Sequence, residues 1–295
     1  MYTFPISGVE TYWWLPGLVA FVISFFTSMG GLSGAFILMP FQISILGFSS
    51  PAVTPTNLVY NVFSIPGGVY RFIREKRMIW PLMITIIIGT LPGLVIGAYL
   101  RVKYLSDSKN FKLFVGIVLL YIVVKLAQGL KEKTRESINN QDFQVKTLKY
   151  NLRQIQFNFN GQAYNTSTGL IFLLTLIVGV VGGAYGIGGG AIVSPFLVAV
   201  CGLPVYAVAG AALFSTFLSS VMGVIVYSYF LPVIFPGFQT VKPDYLLGLS
   251  LGVGGFAGIY LGARFQKYFP SRFIKAILAI SLGIVVVKYV GGYFW

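Results

Sequence analysis

The chain has 295 residues, of which 56% are hydrophobic and only 9% are charged, and its formal net charge is +14. Soluble domains carry about 25% charged residues, so this composition excludes a soluble protein with an ordinary polar surface. No charged residue occurs from Thr11 to Tyr70 or from Gln154 to Val241. Each run far exceeds the ~20 residues that cross a bilayer as a helix, and neither run alternates as a barrel strand would. We therefore predict an all-α polytopic membrane protein.

The excess of positive charge does not indicate a nucleic-acid partner. The basic residues lie between apolar segments, as in the stretch from Arg71 to Arg77, which is typical of the cytoplasmic loops of membrane proteins. The chain has no histidine and a single cysteine, Cys201, so we expect no metal site and no cofactor. The first apolar stretch begins near Trp13 without a basic leader, which favours a membrane segment over a signal peptide.

Charges, prolines and glycines divide the chain into ten apolar segments. In chain order they lie at about 13–29, 32–47, 52–71, 79–100, 110–130, 168–184, 188–201, 205–230, 244–263 and 272–290. The only sizeable polar stretch separates the fifth segment from the sixth, is rich in Asn and Gln, and shows no clear period. We predict a first membrane domain at 1–130, a cytoplasmic connector at 131–167 and a second membrane domain at 168–295.

The two membrane domains are predicted to be repeats of one unit. A shift of 155 positions gives ten identities over residues 30–65, where roughly three are expected by chance. The matched pairs include Gly34 with Gly189 and Pro40 with Pro195. Further along, three glycines spaced by four residues match three others, at positions 89, 93 and 97 and at positions 254, 258 and 262.

Each repeat opens with two apolar stretches joined by a glycine cluster, and the second stretch is too short to cross a membrane. We predict a re-entrant helical hairpin followed by three spanning helices in each repeat, about 8–10 membrane segments in all. Each repeat then makes an odd number of net crossings, so the two repeats are inverted. The basic loops 71–77 and 264–275 fall on the connector's side, which makes that side cytoplasmic and both termini external. Arg101, Lys103 and Lys109 are the exception to this rule.

The glycine clusters are the first candidate site. A helix that begins in mid-membrane directs unpaired N–H groups and a positive dipole end toward the interruption. Two inverted repeats would bring two such ends together and form an anion site from backbone groups. The alternative is that these glycines serve only close helix packing. The candidate residues are Gly31, Ser33, Gly34, Gly188, Gly189 and Gly190.

The third segment of each repeat supplies a second group of candidates, all with neutral polar side chains. They are Asn57 and Asn61 in the first repeat, with Ser215 and Thr216 in the second. Asn57 and Asn61 share one helix face, and their neutral donors suit an oxyanion. Hydrogen bonding between helices is an equally good explanation of these residues.

The carboxylates argue against enzymatic chemistry. All seven lie in loops or at segment edges, and no histidine is present, so a proton relay or a hydrolytic group has no members. An inside-negative potential itself expels an anion, by about 2.3 kcal/mol per charge per 100 mV. We therefore expect anion efflux to survive neutralisation of Asp244 or Glu75. Lys125 and Lys288, near the ends of the fifth and tenth segments, fit snorkelling better than anion attraction.

The chain resembles the sulfite exporter TauE/SafE family of membrane permeases. The resemblance rests on two motifs, which run from Gly30 to Phe41 and from Gly183 to Phe196, and it covers all but the connector. It implies export of small sulfur-containing anions such as sulfite or organosulfonates. The first motif departs from the glycine-rich pattern, with Ser33 and Ala35 where the second motif has glycines.

We therefore predict a secondary transporter of the cell inner membrane that works by alternating access at the repeat interface. Its partners would be a small anionic substrate and the lipid bilayer, with no nucleic acid, and the sequence leaves a homodimer open. The alternative is a channel-like or structural membrane protein in which glycines serve only helix packing. The sequence fixes neither the anion nor a coupling ion.

Overall fold

The computed structural model describes residues 1–29, 32–131, 144–199, 201–234, 241–268 and 271–292. Its helices are α1 Leu15–Met29, α2 Ala35–Ser44, α3 Val53–Arg74, α4 Trp80–Lys103, α5 Ser108–Lys131, α6 Thr168–Tyr185, α7 Gly189–Ala199, α8 Val205–Ile225, α9 Leu231–Ile234, α10 Tyr245–Phe265 and α11 Ser271–Val286. Each of the ten apolar segments overlaps one of these helices, and α9 extends the eighth segment.

Four helical stretches of the described chain are long and apolar enough to cross a membrane. They are Trp80–Lys103, Thr168–Tyr185, Tyr206–Ile234 and Tyr245–Phe265, and the third runs on from α8 through a π-helical turn into α9. Two shorter apolar helices, α1 and α2, accompany them. The architecture is that of a polytopic membrane protein, as predicted.

Contacts between helices give their relative directions. Along α1 and α10 the contacts advance in the same order, from Gly17 beside Gly254 to Phe25 beside Gly262, so these two helices run parallel. The same holds for α3 with α10 and for α4 with both α6 and α8. The helices therefore form two parallel groups, one of α1, α3 and α10 and the other of α4, α6 and α8.

The two groups run in opposite directions. Between α3 and α8 the contacts advance in opposite order, from Leu58 beside Gly223 to Phe72 beside Gly210. These are the third helices of the two predicted repeats, and inverted repeats require them to be antiparallel. Each group also combines helices from both halves of the sequence, because α10 packs with α1 and α3, while α4 packs with α6 and α8.

Small residues let helices of one group approach closely. A Cβ at Gly179 or Gly183 of α6 would lie 2.5 Å from a backbone carbonyl oxygen of α4, that of Thr90 or Leu94 respectively. The glycines at positions 89, 93 and 97 of α4 face α6 in turn, and those at 254, 258 and 262 of α10 face α1. Close packing through glycine is the usual contact between membrane helices, because lipid supplies no hydrophobic drive between them.

The connector contains a three-stranded antiparallel sheet, which corrects the prediction of an entirely α-helical chain. Its strands are β3 Val145–Tyr150, β4 Gln154–Phe159 and β5 Gln162–Ser167, with β4 in the middle. Along β4 the apolar residues Ile155, Phe157 and Phe159 alternate with polar ones and are buried. This is the two-residue period of a strand with one covered face, which the sequence analysis missed.

Asp244 links the N-terminal residues to the start of α10. Strands β1 Tyr2–Thr3 and β2 Glu10–Thr11 form a short hairpin, and the Ser7 backbone and hydroxyl between them donate to the Asp244 carboxylate at 2.9 and 2.8 Å. The other carboxylate oxygen accepts from the backbone of Leu247 at 3.1 Å and caps α10. Asp244 is fully buried, so this segment-edge carboxylate is a structural anchor.

Candidate functional site

The second predicted interruption is a left-handed turn between α6 and α7. Gly186 and Gly188 have φ angles of +79° and +71°, which L side chains rarely adopt, and α7 begins at Gly189. A Cβ at Gly186 would also lie 2.6 Å from the Thr54 carbonyl oxygen on α3. This turn therefore requires glycine both for its backbone conformation and for the approach of α3.

The first interruption separates α1 from α2 and is held by a tyrosine of α3. Helix α1 ends at Met29, and Gly34 is the residue that caps α2. The Gly34 N–H donates to the Tyr60 hydroxyl at 3.1 Å, and that hydroxyl shares a hydrogen bond of 2.7 Å with the Ser24 hydroxyl of α1. The predicted site residue Gly31 lies outside the described residues.

Asn57 of α3 joins the two interruptions. Its side-chain N–H groups donate to the carbonyl oxygen of Ala35, at the start of α2, at 3.0 Å and to that of Gly186 at 2.9 Å. Its own oxygen accepts from the Gln42 amide of α2 at 3.0 Å. The side chain is completely buried, so one amide connects both helix breaks inside the protein.

Asn61, one turn further along α3, holds the second interruption from another side. Its side-chain N–H donates to the Ile187 carbonyl oxygen and to the Ser220 hydroxyl, both at 3.1 Å. Its carbonyl oxygen is buried and has no hydrogen-bond partner among the described residues. The same is true of the Ser33 hydroxyl, next to the cap of α2. The cluster thus retains unused polar groups.

The α8 candidates divide between two surroundings. A Cβ at Gly190 would lie 2.6 Å from the Thr216 hydroxyl, and one at Gly188 would lie 2.8 Å from the Thr216 methyl group. Thr216 therefore borders the second interruption. Ser215 instead bonds within α8, to the Ala211 carbonyl oxygen at 2.7 Å, and reaches the Met83 carbonyl oxygen of α4 at 3.3 Å. It lies apart from the cluster.

Glycine packing is dense around the start of α7. A Cβ at Gly189 would overlap Thr90 of α4, and one at Gly190 would overlap the Ala212 carbonyl oxygen of α8. The Gly189 N–H donates to the Ser219 hydroxyl at 3.1 Å, so a side chain already caps the helix. The polar cluster is closed in this conformation, since the side chains of Ser33, Asn57, Asn61 and Thr216 are fully buried.

Tyr60 and Gln42 also belong to this cluster, although neither was predicted from the sequence. Tyr60 lies on the same helix face as Asn57 and Asn61, and that spacing was the available signal. Gln42 is a polar residue within an apolar segment and could have been found in the same way. Tyr60 was not predicted, because an aromatic residue in a membrane segment is usually interpreted as part of the hydrophobic core.

Arg101 lies at the end of α4, next to the second interruption, and is completely buried. Its Nε donates to the Thr54 hydroxyl at 3.0 Å, and its Nη1 donates to the Leu105 carbonyl oxygen. The guanidinium carbon stands 3.7 Å from the centre of the Phe111 ring. The fourth apolar segment was predicted to end at about residue 100, but α4 continues through Arg101 to Lys103. Helices α3 and α5 enclose the arginine side chain.

A second arginine is buried at the opposite end, in the loop that joins α3 to α4. Arg77 forms an ion pair of 3.0 Å with Glu75 and donates to Gln266, beyond the end of α10, at 3.0 Å. Burial lowers the pKa of its guanidinium, while the Glu75 carboxylate acts in the opposite direction. The charge of Arg77 is thus compensated within the protein.

One cavity of about 220 Å³ opens near the start of α5. It is lined by Ser44, Lys109, Lys112, Lys288, Tyr289 and Gly292. The hydroxyls of Ser44 and Tyr289 share a hydrogen bond of 2.9 Å at its edge. Lysine charges from α5 and from the π-helical turn Val287–Gly291 that follows α11 therefore converge, and two of them, Lys109 and Lys288, are solvent-exposed.

The sequence comparisons agree with the motifs. The family model described as Sulfite exporter TauE/SafE matches residues 17–289. The probable membrane transporter protein YunE of Bacillus subtilis (strain 168) is 26% identical over 287 residues, which cover 91% of this chain and 93% of that protein. No solved structure matches the chain. The resemblance deduced from the glycine and proline motifs is confirmed.

Proposed function

We propose, since the chain belongs to the sulfite exporter TauE/SafE family, that it is a secondary transporter which exports small sulfur-containing anions, sulfite or organosulfonates. The family and the similar bacterial protein are membrane transporters by name. The substrate class and the outward direction are our extension of that finding. The inside-negative potential of a bacterial cell would drive such an export, at about 2.3 kcal/mol per charge per 100 mV.

The observation that carries the proposal is the junction of both helix breaks at Asn57. Its single amide binds the Ala35 and Gly186 carbonyl oxygens, one at each interruption. Irregular backbone at membrane depth is tolerated only where it is buried in protein or lines a cavity. A hydroxyl group at such a junction can donate to an oxyanion, and the buried Ser33 hydroxyl has no hydrogen-bond partner among the described residues.

Transport would proceed by alternating access at the interface of two inverted repeats, at residues 1–130 and 168–295. The antiparallel course of α3 and α8 supports this arrangement. Reciprocal packing supports it too, because the first helix of each repeat lies against the fourth long helix of the other, α1 on α10 and α6 on α4. The closed cluster would be the occluded state between two opened ones.

The proposed orientation in the cell inner membrane keeps the basic loops and the connector in the cytoplasm and both termini outside. The Val145 N–H at the start of the connector sheet donates to the Lys76 carbonyl oxygen, and Arg77 of the same loop meets Gln266. The connector and two basic loops thus cluster at one end of the molecule. The hairpin at Ser7 lies with Asp244 at the other end.

A channel-like or structural role is the competing function, and the packing of Gly189 and Gly190 against α4 and α8 favours it. Counterflow in proteoliposomes separates the two. A carrier accelerates uptake of labelled sulfite when unlabelled sulfite is trapped inside, and the rate saturates. Linear, unsaturable flux without counterflow would refute the carrier. Acetate, which contains no sulfur, is the trapped anion that serves as the control for the sulfur class.

A further inference from the structure

Arg101 is a buried charge without a counterion. It is fully buried, and no carboxylate pairs with it among the described residues. Its Nη2 is buried and has no hydrogen-bond partner among the residues that the structure describes. Arg77 provides the contrast, since it is also buried but has the Glu75 carboxylate beside it.

Such a group is costly to bury. Charged side chains within a protein at membrane depth are paired, and an uncompensated one destabilises the fold far more than a satisfied polar group. Hydrogen bonds to a threonine and a carbonyl oxygen satisfy the donors only in part and leave the positive charge itself unbalanced. An anion that arrives at Nη2 would remove this cost.

The position of Arg101 connects it to the polar cluster. Its Nε binds Thr54, whose carbonyl oxygen faces the left-handed turn at Gly186. Asn57 lies one helical turn further along α3 and binds that same turn. The guanidinium therefore borders the proposed site on the side toward the end of α4.

We propose that Arg101 is the charge partner of the transported anion and binds its oxyanion group through the open Nη2. This rests on the proposed function and adds to it the one cation that the predicted neutral site lacked. The guanidinium is planar, and its unpartnered Nη2 can donate to the oxygens of sulfite or a sulfonate. Its positive charge favours a charged solute over a neutral one. The Phe111 ring packs against the guanidinium group.

The test is thermal unfolding of the purified full-length protein in detergent, with and without sulfite. The wild-type midpoint should rise by about 5 °C or more at a sulfite concentration near 100 times the dissociation constant. Arg101→Met should lose this rise, yet unfold without sulfite no earlier than wild type, because the uncompensated charge is gone. Arg101→Lys should keep a reduced rise.

Arg77→Met is the matched control. It should unfold earlier than wild type without sulfite, because it removes the ion pair with Glu75 and the hydrogen bond to Gln266, and it should keep the sulfite-induced rise in full. The two arginines therefore give opposite patterns, which a purely structural role for Arg101 would not produce.

The failures are distinguishable. A rise in Arg101→Met equal to that of wild type, or a large loss of its stability without sulfite, overturns the role of Arg101 and leaves the proposed function intact. No rise in wild type with sulfite, thiosulfate or sulfoacetate overturns both.

Discussion

Replacing Asn57 with alanine removes the link between the two helix breaks. Three buried hydrogen bonds are lost, and the Ala35 and Gly186 carbonyl oxygens and the Gln42 amide lose a partner. Each such loss costs about 1 to 3 kcal/mol in protein interiors, and about 0.6 kcal/mol on average where membrane helices find other partners. We therefore expect Asn57→Ala to lower the free energy of unfolding by about 2 to 5 kcal/mol and to abolish counterflow.

Reversible unfolding in mixed detergent micelles measures the first effect, and counterflow per folded molecule measures the second. Thr85→Ala is the control, because this buried hydroxyl donates to the Pro81 carbonyl oxygen of its own helix at 2.9 Å. It should cost less than about 1 kcal/mol. Asn57→Leu fills the space without the bonds and should fail like alanine. If Asn57→Ala is as stable and active as Thr85→Ala, the junction does not hold the site.

Three further changes test other contacts. Gly179→Ala puts a Cβ 2.5 Å from the Thr90 carbonyl oxygen and should cost about 1 to 3 kcal/mol of unfolding free energy; Gly169→Ala on the same helix, with no described atom within 4 Å, should cost nothing. Gly186→Ala forces a side chain into a φ of +79°, so counterflow should vanish, and retained counterflow would contradict the need for glycine. Asp244→Asn turns an amide NH₂ toward buried donors and should lower the unfolding midpoint by several degrees (about 1 to 3 kcal/mol) while efflux per folded molecule persists; an unchanged midpoint argues against the anchor.

The helices and their interruptions were predictable because each has a local signal. A long run without charge needs no partner to be read as a membrane helix. A left-handed turn needs glycine, so Gly186 and Gly188 mark the second break in the sequence itself. The shared face of Asn57 and Asn61 follows from helical spacing, and both side chains lie in the cluster.

What the sequence concealed depends on long-range packing. Nothing local shows that Ser215 turns to α4 while Thr216, its neighbour, borders α7. Arg101 stood as an exception to the charge rule for loops, and only the approach of α3 and α5 encloses it. Its burial sets it apart from the exposed loop charges to which that rule applies.

The exchange of helices between the two parallel groups bears on how the protein is made. When the ribosome has released residues 1–130, α1 and α3 still lack α10, whose glycines form the surface that α1 covers. Helices α1 and α3 therefore lack this partner in the bilayer until the last quarter of the chain is inserted. Translation order and assembly order therefore differ, and a chain cut in the connector should yield two fragments that are unstable separately and recover only when synthesised in the same cell.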